Sequence, residues 1–195
     1  MTLTIRTLTG AEILSAIDDL ARLRMTVFAE WPYLYDGDPA YERDYLGAFV
    51  KAPGGVLVAA CEGDRIVGAA TASPLAAQEQ ALRGPVEMHG IDVSEAFYFG
   101  ESVLLGEWRG QGVGHAFFDQ REAQARKAGA RIAVFASVVR EAGHPDRPAA
   151  YSPLDGFWRK RGYAPLDGLT CTLSWKDHRD AAESAKTLRY WSRLL

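Results

Sequence analysis

The chain switches between two hydrophobic periodicities, and the switches mark out its elements. Thr4 to Leu8 reads as a short strand. Ala11 to Phe28 has helical spacing, with Ile13, Leu14, Ile17, Leu20, Leu23 and Val27 on one broad face. An aromatic stretch follows, Trp31-Pro32-Tyr33-Leu34-Tyr35, then the polar Asp36-Gly37-Asp38-Pro39, and Ala40 to Lys51 reads as a second helix. Val56 to Cys61 and Ile66 to Thr71 are apolar runs flanking Glu62-Gly63-Asp64-Arg65, which predicts a hairpin with Gly63 in the tight turn. Pro74 to Ser94 is ambiguous, with room for a short helix and a loop.

Ala96 to Leu105 is the next apolar run, and Gly100 in its middle predicts a bulge or a close backbone approach. A helical pattern from Gly112 to Ala128 stops at Gly129, with Arg126 and Lys127 in the last turn, where the helix dipole favours cations. Arg131 to Val139 is nearly unbroken apolar sequence, the mark of a central strand. Arg140 to Pro153 carries Pro145, Pro148 and Pro153 and reads as a loop. Leu154 to Arg161 is a short helix closed by Gly162, and Leu169 to Trp175 and Thr187 to Leu195 are the last strands. The order β-α-α-β-β-β-α-β-α-β-β, with no repeat or clear linker, predicts a single domain over residues 1–195 with a mixed α/β architecture.

Between the Ala96–Leu105 strand and its helix lies Arg109-Gly110-Gln111-Gly112-Val113-Gly114. The first turn of a helix has unpaired N–H groups and the positive end of the macrodipole. Glycines remove the side chains that would hold a ligand away from those groups, so strand, loop and helix start make a phosphate cradle. Two common cradles fail on spacing. G-x-G-x-x-G would need a glycine where His115 stands, and a Walker loop needs a Gly-Lys pair that the chain lacks. A plain tight turn is the alternative to a cradle.

Bulk properties narrow the classes. Net charge is −3 without a lysine or arginine run, which argues against a nucleic-acid partner. No apolar run approaches the ~20 residues of a membrane span, and Met1-Thr2-Leu3-Thr4-Ile5-Arg6 lacks the regions of a signal peptide, so a cytoplasmic location is expected. Cys61 and Cys171 lie far apart in strand-like segments and read as small core residues in a reducing compartment; with four scattered histidines, no metal site is expected.

The R-x-x-G-x-G loop and the element order together resemble the GNAT superfamily of acyl-CoA-dependent N-acyltransferases. Phe157-Trp158-Arg159-Lys160-Arg161-Gly162-Tyr163 resembles a second family segment, "fYek-GF". The resemblance spans nearly the whole chain and is strongest from Phe97 to Tyr163. It implies the GNAT fold, a mixed and mostly antiparallel sheet of about seven strands flanked by about four helices, with central strands splayed to admit acetyl-CoA. It implies that the backbone of Val103, Leu104 and Leu105 faces the pantetheine amides. Arg109, Gly110, Gln111, Gly112, Val113 and Gly114 would hold the pyrophosphate. Arg109 itself either contacts phosphate or pairs with an acidic neighbour such as Glu107.

An amine attacks a thioester only as the neutral base, and a lysine-like amine, with a pKa near ~10.4, is mostly protonated at neutral pH. The site therefore needs a base or a proton wire. The resemblance puts a glutamate on the strand before the loop, and Glu101 stands there in apolar surroundings that would raise its pKa; a salt-bridged structural role is the alternative. On a regular strand Ser102 faces away from Glu101, and a bulge at Gly100 would blur that alternation. The family's leaving-group tyrosine aligns with Trp158, and indole cannot protonate a thiolate. Trp158 then either lines the pantetheine passage or packs in the core, and Tyr151 is the remaining hydroxyl. Tyr163 reads as packing and His115 as a solvated residue at the helix start.

By resemblance the segment between the first two helices covers the acceptor. Trp31, Tyr33 and Tyr35, with Asp36 and Asp38 after them, suit a cationic amine, or else the rings staple the helices onto the sheet. His144 and Asp146 are a further candidate pair on the loop after the central strand. The expected partner is a small-molecule amine. The rivals are a non-catalytic acyl-CoA-binding module, motivated by Trp158, and an enzyme acting on protein N-termini or lysines. The apolar C-terminal strand pairs either within the chain or across a homodimer.

Overall fold

The computed structural model describes residues 3–195, and seven strands form one sheet within them. In chain order the elements are β1 (Leu3–Thr9), α1 (Ile17–Phe28), α2 (Pro39–Lys51), β2 (Val56–Glu62), β3 (Arg65–Pro74), α3 (Gln80–Met88), β4 (Ala96–Leu104), α4 (Val113–Lys127), β5 (Ile132–Val138), α5 (Asp155–Lys160), β6 (Ala164–Trp175) and β7 (Ser184–Leu194). The sheet order is β1-β2-β3-β4-β5-β7-β6. Every neighbouring pair is antiparallel except β4 with β5. The mixed, mostly antiparallel sheet expected from the sequence is therefore present, with five α-helices among the described residues where about four were expected.

The near-unbroken apolar runs become the interior strands. Leu57, Val58, Ala60, Val67, Ala69 and Ala70 are all fully buried, and each buried Leu or Val side chain stabilises by roughly 1.5–3 kcal/mol. α1 packs on β3 and β4, while α4 packs on β2, β3 and β4, so both sit against the strands that lead to the glycine loop. Asp38 caps α2 by accepting from the backbone N–H of Ala40 and Tyr41, both at 2.8 Å.

Two elements depart from the sequence reading, and a third settles the ambiguous segment as a short helix. The Ala11–Phe28 helix divides into a 3-10 segment, Gly10–Ala16, and α1, and Leu14 on its expected buried face is 61% exposed. α3 occupies the ambiguous region, disguised by Gly84 and Pro85 within it. β6 begins five residues early, because Pro165, Asp167 and Gly168 read as a loop but form an irregular stretch of strand. The C-terminal strand pairs within the chain, between β5 and β6, which is the intramolecular alternative. Among the described residues no helix is long and apolar enough to cross a membrane.

Candidate active site

β4 and β5 part company early. They pair only at Ala96–Ile132, Phe97–Ala133 and Tyr98–Val134, after which β4 runs on to Leu104 and β5 to Val138. The wedge between them leaves backbone amides and carbonyls of both strands without sheet partners. Val103 and Leu105 are buried on this stretch and Ser102 is exposed.

At the end of β4 the glycine loop turns the chain into α4. Gly110 and Gly112 have φ of 75° and 84°, in the left-handed region that glycine occupies without strain. Nothing lies within 4 Å of where a Cβ would stand on either, so the space before the loop is open. Gly112 is the N-cap of α4 and supplies no capping side chain, so the first-turn N–H groups are left for a ligand. Arg109 pairs with Glu30 at 2.8 Å rather than with Glu107, and its Nε donates to the Leu104 carbonyl at 3.1 Å. Both partners of the pair are about half exposed, so an anion can compete for the guanidinium. Open space, uncapped amides and a cation held only by an exposed pair fit a pyrophosphate.

Gly100 is where β4 is bent. The β3–β4 register shifts between Ala70 and Ala72, so the bulge faces Thr71, and a Cβ on Gly100 would lie 2.4 Å from Thr71 Oγ1. Both readings of Gly100, bulge and close approach, are realised. Arg121 of α4 braces the same point: fully buried, it donates to the Thr71 carbonyl at 3.3 Å and lies over the Phe99 and Phe118 rings. Burial pushes its guanidinium down to about 10. Tyr98 and Glu101, an odd three positions apart, line one cavity, which a regular strand would not allow.

That cavity has a volume of about 430 Å³, within the range of small-molecule sites. Its walls come from α1, α2, β4, the segment after α1 and the far end of β6. Tyr33 and Tyr35 line it, Tyr33 stacked on Phe28 at 4.2 Å. Burial and the nearby Glu101 charge push the Tyr33 phenol up to about 12. The Tyr45 phenol, also on the wall, is pushed far up, chiefly by Glu101.

The Glu101 side chain is 6% exposed and forms an ion pair with Arg24 at 3.0 Å through Oε2. Arg24 also donates from Nε to Glu42 Oε2 at 2.5 Å, and Glu42 is fully buried. Burial opposes the Arg24 charge, but Glu101, Tyr45 and Glu42 outweigh it and keep the guanidinium protonated. Glu101 is thus salt-bridged, the alternative that the sequence left open for it, to a counter-ion that the sequence reading did not name. A signal existed: Arg24 lies four residues from both Leu20 and Phe28, and Glu42 four before Leu46, charged residues in register with buried stripes.

Other expected residues fall elsewhere. Trp31 packs against His144 at 5.1 Å and Tyr151 at 5.9 Å, beside the cavity rather than on its wall. Tyr151 is half-buried under Arg147, with its phenol raised by burial. Asp36 pairs with Lys176 at 2.7 Å and Asp38 is spent on its cap, so neither is a cavity carboxylate. His144 and Asp146 line a different hollow, with Asp177 and His178. Trp158 packs edge-on to Phe135 at 5.0 Å and Trp191 at 5.1 Å, half-buried in the aromatic core. Tyr163 is buried, its hydroxyl on Glu122 at 3.0 Å, as packing requires. His115 lies 3.1 Å from Arg161.

The aromatic segment is held by a cation. Arg140 donates to the Pro32 and Tyr33 carbonyls at 2.8 and 2.7 Å and grips Asp177 with two bonds at 2.8 and 3.0 Å. Trp175 Nε1 donates to the same Tyr33 carbonyl at 3.0 Å. Burial opposes the Asp177 charge, yet Arg140 and Lys186 hold its carboxyl below the usual range.

The sequence matches the family model of the acetyltransferase (GNAT) family over residues 18–150. Among curated proteins none matches in sequence. Solved structures share the fold at low identity. A ribosomal-protein-alanine N-acetyltransferase from Brucella melitensis is 15% identical with a TM-score of 0.61, covering 98% of this chain and 99% of its own. PaiA N-acetyltransferase from Thermoplasma acidophilum, in complex with coenzyme A, is 12% identical with a TM-score of 0.59 over 100% of both chains. An aminoglycoside 6'-N-acetyltransferase complexed with coenzyme A is 16% identical with a TM-score of 0.59, over 100% of this chain and 97% of that one.

Proposed function

The chain belongs to the GNAT family of acetyltransferases, and from that premise we propose that it transfers an acetyl group from acetyl-CoA to a primary amine by direct attack. The observation that carries this reading is Glu101, a buried carboxylate at the mouth of the β4–β5 wedge and on the wall of the cavity. A cosubstrate entering from the glycine loop and an amine entering the cavity meet beside it.

The loop from Arg109 to Gly114 holds the pyrophosphate with the N–H groups of α4's first turn, and the pantetheine runs along the wedge side of Val103 to Leu105, where the Leu105 N–H is already bonded to the Val67 carbonyl and the Leu104 carbonyl to Arg109. The thioester supplies the acetyl group. Glu101 takes the proton from the incoming ammonium, directly or through water, with Oε1, since Oε2 is engaged by Arg24. Arg24 keeps the carboxylate aimed and is itself held by Glu42. Free N–H groups along the wedge are placed to stabilise the developing oxyanion. Tyr151 packs on Trp31 beside the cavity rather than on its wall, so no step is assigned to its phenol. The thiolate, with a thiol pKa near ~8.5, leaves without help. Two buried free cysteines, Cys61 and Cys171, fit a reducing cytoplasm.

The test is free-thiol release from acetyl-CoA in the presence of a panel of primary amines, wild type against Glu101→Gln. Amine-dependent release by the wild type alone supports the reading. Coenzyme binding with no transfer to any amine would turn it into that of a binding module.

A further inference from the structure

We propose that the acceptor is a monoamine with a flat apolar body and no carboxylate, of the arylalkylamine type, a conclusion that rests on the amine-acetylation reading above. The first ground is the cavity wall. Tyr33 and Trp175, with centroids 5.8 Å apart and tilted by 32°, make a continuous aromatic face; Tyr98, Tyr45, Leu82 and Leu173 extend it. Aromatic rings gain from edge and offset contacts with other rings and from an ammonium held over their faces. A flat apolar body with one amine uses both.

The second ground is the charge on that wall. Arg24 is the only cation lining the cavity among the described residues, and it is shared by two carboxylates, Glu101 and Glu42. One guanidinium against two buried carboxylates leaves the cluster with an excess negative charge. Glu79 is the second carboxylate on the lining, beside Glu101. The next cations, Arg140 and Lys186, approach Trp175 at 5.9 and 5.6 Å and are committed to Asp177 at 2.8 and 3.4 Å. Neither lines the cavity. A carboxylate on the acceptor would thus be desolvated beside Glu101 with no free counter-ion, a juxtaposition of like charges that costs heavily. A second ammonium would have only Glu79 to pair with, since Glu101 is occupied by Arg24 and by proton transfer.

The experiment measures kcat/KM by thiol release with the full-length protein, acetyl-CoA and five probes: 2-phenylethylamine, tyramine, phenylalaninamide, phenylalanine and spermidine. Phenylalaninamide matches phenylalanine in size and lacks its carboxylate; because that carboxylate also raises the pKa of the amine, all probes are compared per unit of neutral amine, and the pair then isolates the carboxylate's contact with the site. The expected result is turnover of the two arylalkylamines and the amide, with phenylalanine lower by on the order of a hundredfold and spermidine below the arylalkylamines. Phenylalanine within a few-fold of its amide, or spermidine above the arylalkylamines, would overturn the inference while leaving acetyl transfer to amines intact. No thiol release with any probe, together with no binding of acetyl-CoA, would instead bring down the reading on which it rests.

Discussion

Arg24 lies 3.0 Å from Glu101 and 2.5 Å from Glu42, so one guanidinium on α1 ties α2 to the bulged strand β4 inside the protein. Breaking a buried pair from the cationic side leaves two carboxylates without a counter-ion. Arg24→Met should therefore destabilise the fold by about 3–5 kcal/mol. Glu101→Gln, which preserves the Arg24–Glu42 pair, should cost far less. Chemical denaturation of both variants measures the difference, and equal losses would show that Glu42 alone does not satisfy the buried Arg24 guanidinium.

Glu101→Gln should keep its affinity for acetyl-CoA, because the glycine loop is untouched. Its kcat should fall by roughly 10²–10⁴-fold, the scale of a lost general base. Steady-state kinetics across neutral and alkaline pH, beside a binding titration, give both numbers. Parent-like turnover would remove Glu101 from the reaction.

Gly100 is glycine because Thr71 Oγ1 occupies the place of a Cβ, at 2.4 Å. Gly100→Ala should unfold at lower temperature and lose kcat as the bulge that aims Glu101 is displaced. The next atoms, Thr71 Cβ and the Thr71 carbonyl oxygen, are at 3.7 and 3.8 Å, ordinary contact. Adding Thr71→Ala to Gly100→Ala should therefore restore much of the loss. A double-mutant cycle in which the two effects simply add would refute the clash.

Arg140 joins Asp177 to the segment carrying Tyr33. Its carboxyl is depressed in the fold, so its contribution is fully present above the ordinary carboxyl pKa of about 4 and is lost as pH falls through the lower folded value. Asp177→Asn should melt well below the wild type at pH 7, and the gap should narrow below about pH 4. A gap that stays constant from pH 7 to pH 3 would contradict the ion pair.

Much of this molecule is legible in its residues, for reasons that are local. The glycine loop announces itself because left-handed φ at Gly110 and Gly112 demands glycine. The bulge shows through Gly100 and the central strand through its unbroken apolar run from Arg131. Two things are hidden because they depend on distant partners. Asp36 and Asp38 look like substrate carboxylates, yet one is spent on Lys176 and the other on a helix cap. Arg24 and Glu42 look like ordinary helix-surface charges until the register of buried stripes is followed, and which carboxylates face Arg24 is decided by how α1, α2 and β4 assemble. Trp31 illustrates the same limit: the aromatic stretch is plain, but which of its rings turn to the cavity depends on Arg140, over a hundred positions away.

The central claim is that the loop at the end of β4 holds an acyl-CoA. The most direct measurement is a calorimetric titration with acetyl-CoA, with ATP and NADH as controls, on the wild type and on Gly112→Leu. A side chain at Gly112 must adopt φ near 84°, a strain of about 1–2 kcal/mol that the fold can absorb, and it would project into the open space before α4. The account predicts micromolar binding of acetyl-CoA alone to the wild type and its loss in a folded Gly112→Leu. No binding to the wild type, or undiminished binding to the variant, would contradict it.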